Sequence, residues 1–184
     1  LGAGHKAGAG VHFVFELCEH GALRECLAQG LGWPLKVRLC LDAARGLEFL
    51  HGRGVLHRDV KTPNVVVDGA WRAKLCDFNF CVDADSPDRY GFLCGTKEFL
   101  APEVSLYDYE PSTEFGLPAD CYALGVTFAE VVTELKPGAP ALDLTGTYED
   151  DFRADLDQVG AKAVAGAPGS LVTLVGFLLA RDPE

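Results

Sequence analysis

The chain has 184 residues, of which 48% are apolar and 10% aromatic, and this size and composition are typical of one compact globular unit. The formal net charge of −11 argues against a nucleic-acid-binding surface, because such surfaces need clustered basic residues. No run of about 18 apolar residues occurs, so the sequence predicts no membrane span.

The seven cysteines indicate a reducing compartment. Their number is odd and no Cys-x-x-Cys spacing occurs, so we interpret them as reduced thiols rather than as a disulfide or zinc framework. This interpretation predicts a cytoplasmic or nuclear protein. Because the chain starts at Leu1 and contains no Met, we also expect it to be a fragment of a longer protein.

The first third of the chain predicts one strand and two helices. Residues 1–10 are rich in Gly and Ala and predict a loop, whereas residues 11–17 are rich in β-branched and aromatic side chains and predict a strand. Helical character at 22–29 is followed by a longer amphipathic helix at 34–51, with Pro34 in its first turn, where the missing N–H costs nothing.

The rest of the chain predicts a hairpin, an irregular segment and two apolar helices. Residues 65–75 predict a short β-hairpin with an Asp-Gly turn. Residues 77–103 have little regular pattern, and so long an irregular stretch in a compact domain is usually functional. The two helices cover 120–133, with Asp120 as its N-cap, and 170–180.

Four short motifs carry the candidate chemistry. A charged loop with the sequence HRDVKTPN occupies 57–64, and thirteen residues after Asn64 comes DFN at 77–79. The sequence APE follows at 101–103 and DCYALG at 120–125. In this order the motifs resemble those of eukaryotic protein kinases of the Ser/Thr type, and the Lys-Thr-Pro-Asn run resembles the tyrosine-kinase-like group.

The resemblance implies an α+β, protein-kinase-like fold with a mainly α-helical C-terminal lobe, a short hinge strand and a small β-hairpin. It assigns 1–17 to the last small-lobe strand and the hinge, 18–184 to the large lobe and 77–103 to the activation segment. Most of the small lobe is missing from 1–184, including the Gly-rich loop and the strand lysine. We therefore expect a partial kinase domain that phosphorylates nothing measurable on its own.

The resemblance also implies roles for five residues in transferring phosphate from Mg·ATP to a protein substrate. Asp59 is the catalytic base at the substrate hydroxyl, and Lys61 lies beside the transferred phosphate. Asn64 and Asp77 hold Mg²⁺ through hard oxygen ligands. Thr96 bridges Asp59 and Lys61, and the Lys61–Thr96 combination favours Ser/Thr hydroxyls as acceptors.

For the nucleotide, the resemblance implies that Phe15 is the gatekeeper residue behind the adenine. Glu16 then offers its backbone C=O, and Cys18 its N–H, to the adenine edge, while Val66 lies under the ring. Ala22 stands where many kinases place a polar side chain for the ribose. The alternative for this stretch is an edge strand and a helix with no ligand.

Other residues have structural or regulatory roles by the same resemblance. His57 and Phe78 belong to a stacked hydrophobic spine, a role that is compatible with plain core packing. Asp120 braces the backbone of the catalytic loop. Glu103 normally pairs with an Arg late in the large lobe, and because that Arg is not found before Glu184, we expect Glu103 to be unpaired.

Arg58, directly before the catalytic Asp, marks the kinases whose activation segment is often ordered by a phosphate, which an Arg fork binds bidentately. Ser86 and Tyr90 are the candidate acceptors of this phosphate. The alternative is that a carboxylate of the segment already supplies the negative charge, from Asp83, Asp85 or Asp88.

The residue at position 79 is the reason for two hypotheses about the function. Asn79 replaces the Gly of Asp-Phe-Gly, and because Asn is the next most tolerant residue at positive φ, we expect impaired but not abolished metal positioning. The first hypothesis is a Ser/Thr protein kinase. The second is a pseudokinase-like scaffold or binding module, which Asn79 and Ala22 favour and the intact catalytic residues oppose. A small-molecule phosphotransferase fits poorly with the APE motif at 101–103.

Overall fold

The computed structural model describes residues 2–6, 9–89, 94–105, 116–138 and 159–179. Tyr90 therefore lies outside the described residues. Within these ranges the protein has mixed helix and strand structure with small antiparallel sheets, and this confirms the predicted α+β class. Across the same ranges, no helix is both long and apolar enough to cross a membrane.

Two strands open the chain where one was predicted. Strand β1 (Gly2–Lys6) pairs antiparallel with β2 (Ala9–Val14), with a bulge between His5 and Lys6. The prediction of a loop at 1–10 is wrong, because pairing with β2 overrides the low strand propensity of the glycines.

Helix α1 (Leu23–Leu27) is short, and α2 (Trp33–His51) begins one residue before the predicted start. Helix α2 confirms the prediction from helical spacing. Its buried residues include Asp42, which receives two hydrogen bonds of 2.7 Å from the Arg72 guanidinium and thereby attaches the helix to the hairpin.

Strands β3 (Gly21–Ala22), β5 (Val65–Val67) and β6 (Ala73–Leu75) form a three-stranded sheet in the order β3-β5-β6. The β5–β6 hairpin is confirmed, and Asp68 and Gly69 lie in its turn, which extends to Trp71. The left-handed residue is Trp71, at φ 59°, and its N–H donates to the Asp68 carbonyl at 2.9 Å. Trp71 adopts this conformation while its ring stacks on His20 at 3.7 Å between centroids.

Two further strands flank the charged loop. Strand β4 (Val55–Leu56) precedes it and pairs antiparallel with β7 (Val82–Asp83), which follows the DFN motif. The DFN motif therefore lies between β6 and β7, and both strands are fixed by hydrogen bonds to a neighbouring strand.

The core is organised around α4 (Leu117–Thr133), which follows the short helix α3 (Pro102–Ser105). Helix α5 (Gly169–Leu179) packs so closely on α4 that a Cβ added at Gly125 would lie 2.7 Å from the Leu178 Cβ. The prediction of Asp120 as N-cap is wrong: the helix begins three residues earlier, with Gly116 at the N-cap, so the Asp120 carboxylate contacts another element.

Candidate active site

Four predicted residues meet at the charged loop, residues 57–64, which we call the catalytic loop. Asp59 Oδ2 accepts hydrogen bonds from Lys61 Nζ at 2.7 Å and from Asn64 Nδ2 at 2.8 Å, and Asp59 Oδ1 accepts one from Thr96 Oγ1 at 2.8 Å. Lys61 Nζ also donates to Thr96 Oγ1 at 2.6 Å. Both oxygens of the Asp59 carboxylate, which is buried, therefore have fixed partners.

Helix α4 holds the start of this loop through Asp120, which is fully buried. Its carboxylate accepts the backbone N–H groups of His57 and Arg58, each at 2.8 Å, and contacts His51 Nε2 at 3.0 Å. Buried backbone donors need such partners, since an unsatisfied one is costly. Arg58 takes a left-handed conformation at φ 67°, and the Asp120 carboxylate stabilises this turn of the chain.

The His57 ring connects the catalytic loop to the DFN motif. Its Nδ1 accepts the Asp59 N–H at 3.3 Å, so the proton is on Nε2, which donates to the Cys76 carbonyl at 3.1 Å. The ring also lies 5.4 Å from that of Phe78, between centroids. Cys76 N–H donates in turn to the Asn64 carbonyl at 2.9 Å.

Asp77, between Cys76 and Phe78, is exposed and adopts a left-handed conformation at φ 61°. Asn79 is not at positive φ; it lies in a 3₁₀ turn, and its side-chain amide donates to Asp77 Oδ1. The expectation that Asn79 is tolerated because it adopts a positive φ is therefore wrong. Asn79 acts on the metal-binding candidate through its side chain rather than through its backbone.

Asp77 lines a cavity of about 800 Å³, a volume within the usual range for small-molecule sites. The cavity is lined by the predicted nucleotide residues Phe15, Glu16, Cys18 and Val66, with Lys74, Cys76, Phe78 and Asn79. Asp59 lines a much smaller pocket of about 10 Å³ together with Arg58 and Thr96. The two carboxylates thus line different cavities among those of the described residues, and hydrogen bonds of His57 and the Cys76 backbone link them.

An ion-pair group lies at the edge of the larger cavity. Lys74 Nζ bonds to Glu16 at 2.5 Å and to Asp68 at 2.8 Å. The hydrogen bond from Lys74 lowers the pKa of Asp68 to about 2, and the same bond raises the pKa of Lys74. Asp68 and Lys74 therefore stay charged at neutral pH, and the bond from Lys74 to Glu16 attaches the predicted hinge to the hairpin.

Burial raises the pKa of the Cys18 and Cys76 thiols that line the cavity, and at Cys18 the charge of Lys74 opposes this effect. Both are therefore protonated thiols at neutral pH. All seven cysteines are free.

The Arg58 guanidinium contacts residues 88 and 94, in the stretch predicted to be the activation segment. Its Nε and Nη2 contact Cys94 Sγ at 2.9 and 2.6 Å, and its Nη1 donates to the Asp88 carbonyl at 3.2 Å. Burial raises the pKa of Cys94, while Arg58 opposes that rise. Ser86 Oγ accepts the Asp88 N–H at 3.1 Å.

The expectation that Glu103 is unpaired is wrong, because Glu103 has an interaction partner within the protein. Sequence reasoning also missed Glu130 of α4, which contacts the catalytic loop through Thr62. The one available signal is its position: Glu130 is an acidic residue inside an otherwise apolar helix run.

Asn64 and Asp77 are the residues whose chemistry suits Mg²⁺, which binds through one or two protein oxygen ligands together with substrate phosphates and water. The Asn64 amide uses its nitrogen for Asp59, which leaves its oxygen for a metal. Within the described part of the chain, no group of three or more His, Cys, Asp or Glu could hold a metal, so a dedicated all-protein cage is not found there.

Similarity to known proteins shows the family of this chain. Residues 5–158 match the protein kinase domain family. The chain is 30% identical over 171 residues to the RasGEF domain-containing serine/threonine-protein kinase X of Dictyostelium discoideum, covering 90% of the chain and 17% of that protein. It is 32% identical over 188 residues to a probable serine/threonine-protein kinase of the same organism, covering the whole chain and 42% of that protein.

A receptor-like protein kinase of Arabidopsis thaliana, HAIKU2, is 37% identical over 137 residues, covering 67% of the chain and 13% of that protein. The chain thus spans less than half the length of these curated relatives. The match to the family covers most of the chain, and the motifs at 57–64, 77–79 and 101–103 lie within it. The chain belongs to the protein kinase family.

Proposed function

We propose that the whole protein containing this domain transfers the γ-phosphate of Mg·ATP to Ser/Thr hydroxyls of protein substrates. The single observation that carries the proposal is the buried contact network of Asp59 with Lys61, Asn64 and Thr96. Phosphoryl transfer depends on positioning and charge stabilisation, and this network fixes a carboxylate and an ammonium group side by side.

In the proposed reaction the substrate hydroxyl oxygen forms a bond to the γ-phosphorus, and the bond from that phosphorus to the bridging oxygen breaks. ADP leaves with the electron pair, and the hydroxyl proton passes to Asp59. Lys61 offsets negative charge beside the transferred group. Thr96, which contacts both side chains, keeps Asp59 and Lys61 next to each other. Mg²⁺, when bound, neutralises charge on the phosphate oxygens, and Asn64 and Asp77 are the residues that would hold it.

For the nucleotide, we propose that the adenine occupies the 800 Å³ cavity, with Val66 under the ring and Phe15 behind it. The backbone C=O of Glu16 and N–H of Cys18 are the proposed partners of its polar edge. Residues 1–17 are the proposed end of the small lobe and the hinge, with β2 as the last small-lobe strand. Residues 18–184 are the proposed large lobe, with the activation segment at 77–103.

Titration of the chain with the fluorescent nucleotide TNP-ATP, displaced by ATP with and without Mg²⁺, tests this placement. The expected result is Mg²⁺-enhanced binding that Asp77→Asn removes. Asp83→Asn, in the same segment and also exposed, is the matched control and keeps the enhancement. Equal binding by wild type and Asp77→Asn at all Mg²⁺ concentrations would contradict the assignment of Asp77.

The acceptor class is supported by Lys61 and Thr96, whose contact is short and partly buried. Phosphoamino-acid analysis of a protein labelled by the whole enzyme is expected to find phosphoserine or phosphothreonine. Detection of phosphotyrosine alone would contradict the proposed Ser/Thr acceptors but would still support phosphate transfer.

Regulation of the activation segment has two candidate forms. Phosphate on Ser86 or Tyr90 is one, and Arg58 is its proposed partner. A segment ordered without phosphate is the other, in which a carboxylate of Asp83, Asp85 or Asp88 supplies the negative charge. The bonds of Arg58 to Cys94 Sγ and to the Asp88 backbone carbonyl favour order without phosphate. Peptide mapping of protein from its host distinguishes them, because phosphate within 77–103 supports the first form and its absence the second.

The second candidate function is a pseudokinase-like scaffold, and the observation that favours it is the Asn79 side chain bonded to the Asp77 carboxylate. A scaffold would bind TNP-ATP weakly or without Mg²⁺ dependence in the same titration. It would also transfer no phosphate in the whole protein.

A further inference from the structure

Glu130 is an acidic residue inside the protein, in the last turns of α4, with 3% of its surface exposed. The Arg24 guanidinium donates to both carboxylate oxygens, from Nε to Oε1 at 2.7 Å and from Nη2 to Oε2 at 2.8 Å. Thr62 Oγ1 donates to Oε2 at 2.6 Å. We call Arg24, Thr62 and Glu130 the Glu130 anchor.

The anchor is a satisfied buried charge. A carboxylate inside a protein is tolerated when it is paired and hydrogen-bonded, and the planar fork of Arg is the group that pairs with it bidentately. The Arg24 side chain is about a third exposed, so one side of the anchor reaches solvent. Its other side ends at the Thr62 hydroxyl, on a residue with no exposed surface.

Thr62 is the first residue of the 3₁₀ turn Thr62–Asn64. Lys61 directly precedes this turn and Asn64 ends it, and both donate to the Asp59 carboxylate. A bond that fixes the Thr62 side chain therefore restrains the short piece of backbone carrying two partners of Asp59.

The other end of the catalytic loop is fixed by the same helix, through Asp120 and the backbone N–H groups of His57 and Arg58. Glu130 lies ten positions after Asp120, which corresponds to about 15 Å along a helix axis. One rigid element thus contacts the loop near its first and its later residues.

We propose that Glu130, supported by Arg24, is a positioning residue that acts through the Thr62 hydroxyl to hold Lys61 and Asn64 on Asp59. The catalytic part of this inference rests on the proposed kinase function. The structural part does not, because it concerns the order of the loop itself.

Two substitutions at one position separate the hydroxyl from packing. Thr62→Val keeps the shape and removes the hydroxyl, whereas Thr62→Ser keeps the hydroxyl and removes a methyl group. Hydrogen exchange followed by mass spectrometry on the chain measures peptides that cover 57–64, with α2 peptides as the internal reference.

Thr62→Val is expected to speed exchange in the peptides of residues 61–64 about tenfold, a change that corresponds to one lost hydrogen bond to a charged group. Exchange in α2 is expected to stay at the wild-type rate, and Thr62→Ser to stay within about twofold of wild type throughout. In the whole protein, Thr62→Val should lower kcat and leave the KM for ATP unchanged, with rescue by Thr62→Ser.

Wild-type exchange at 61–64 in Thr62→Val would overturn the proposal. So would an effect of Thr62→Ser as large as that of Thr62→Val, since the loop would then respond to any change at this position rather than to loss of the hydroxyl. A uniform rise in exchange across α2 and the loop would overturn it as well. If wild-type whole protein transfers no phosphate, the kinase function fails, and the exchange comparison still decides whether the anchor orders the loop.

Discussion

The catalytic loop and the segment Asp77–Phe80 each carry one of the two proposed functional carboxylates, yet they are held in different ways. Asp59 is 4% exposed, and the loop around it is bonded to side chains of α4 that are distant in sequence. Asp77 is exposed and in a left-handed conformation, and its carboxylate is bonded by Asn79, two residues away.

This difference shows which of the two carboxylates is positioned by the fold as a whole. A buried, fully satisfied polar network has one low-energy arrangement, because each donor left without a partner is costly. An exposed contact between near neighbours competes with water and contributes little. The position of Asp59 is therefore set by the whole domain, and that of Asp77 responds to a single nearby side chain.

The largest effect is expected where the network joins α4. Asp120→Ala leaves two buried backbone N–H groups and His51 without their acceptor, so we expect the free energy of unfolding in urea to fall by about 3–5 kcal/mol. Asp85→Asn, an exposed acidic residue, is the control and should change it by less than about 0.5 kcal/mol. A loss at Asp120 no larger than this control would show that the loop does not depend on α4.

A smaller effect is expected at Gly95, which has φ 95° and where a Cβ would lie 2.5 Å from the Arg58 carbonyl oxygen. Gly95→Ala should displace Thr96 from Asp59 and lower the free energy of unfolding by about 2–4 kcal/mol, from backbone strain plus overlap. Gly30→Ala is the matched control, because Gly30 has φ 73° and open space around it. It should lose about 1–2 kcal/mol from strain alone. Equal losses of unfolding free energy in the two variants would show that the close approach of the Arg58 carbonyl to Gly95 has no effect on stability.

The smallest effect on stability is expected in the exposed segment. Asn79→Gly should change the free energy of unfolding by less than about 1 kcal/mol, because it removes one exposed hydrogen bond. The same change frees Asp77 Oδ1, so the Mg²⁺-dependent affinity for ATP should rise about two- to tenfold, with a higher turnover in the whole protein.

Asn79→Ala separates two explanations of that gain. If the amide restrains Asp77, Ala and Gly raise the affinity equally. A gain with Gly alone would assign the effect to backbone freedom, and an unchanged affinity in both would show that Asn79 is neutral.

Local patterns predicted part of this structure well. The spacing of apolar residues predicted α2 to within one residue, and the motif at 57–64 identified Lys61 and Asn64 as residues that meet at Asp59. Three features depend on long-range partners that local patterns do not contain. Strand β1 needs its pairing with β2, Asp120 serves the loop rather than the helix start, and Glu130 needs Arg24 and Thr62. The side-chain contact of Asn79 with Asp77 does not follow from the motif, because the Gly it replaces has no side chain.

The initial rate of γ-phosphate transfer from labelled ATP to a protein substrate, measured for the whole protein and for its Asp59→Asn variant, tests the central claim most directly. The account predicts transfer by wild type and a rate lower by about 10²–10⁴-fold in Asp59→Asn, the usual contribution of a positioned acid–base group, with TNP-ATP binding unchanged. Transfer by Asp59→Asn at the wild-type rate would contradict it.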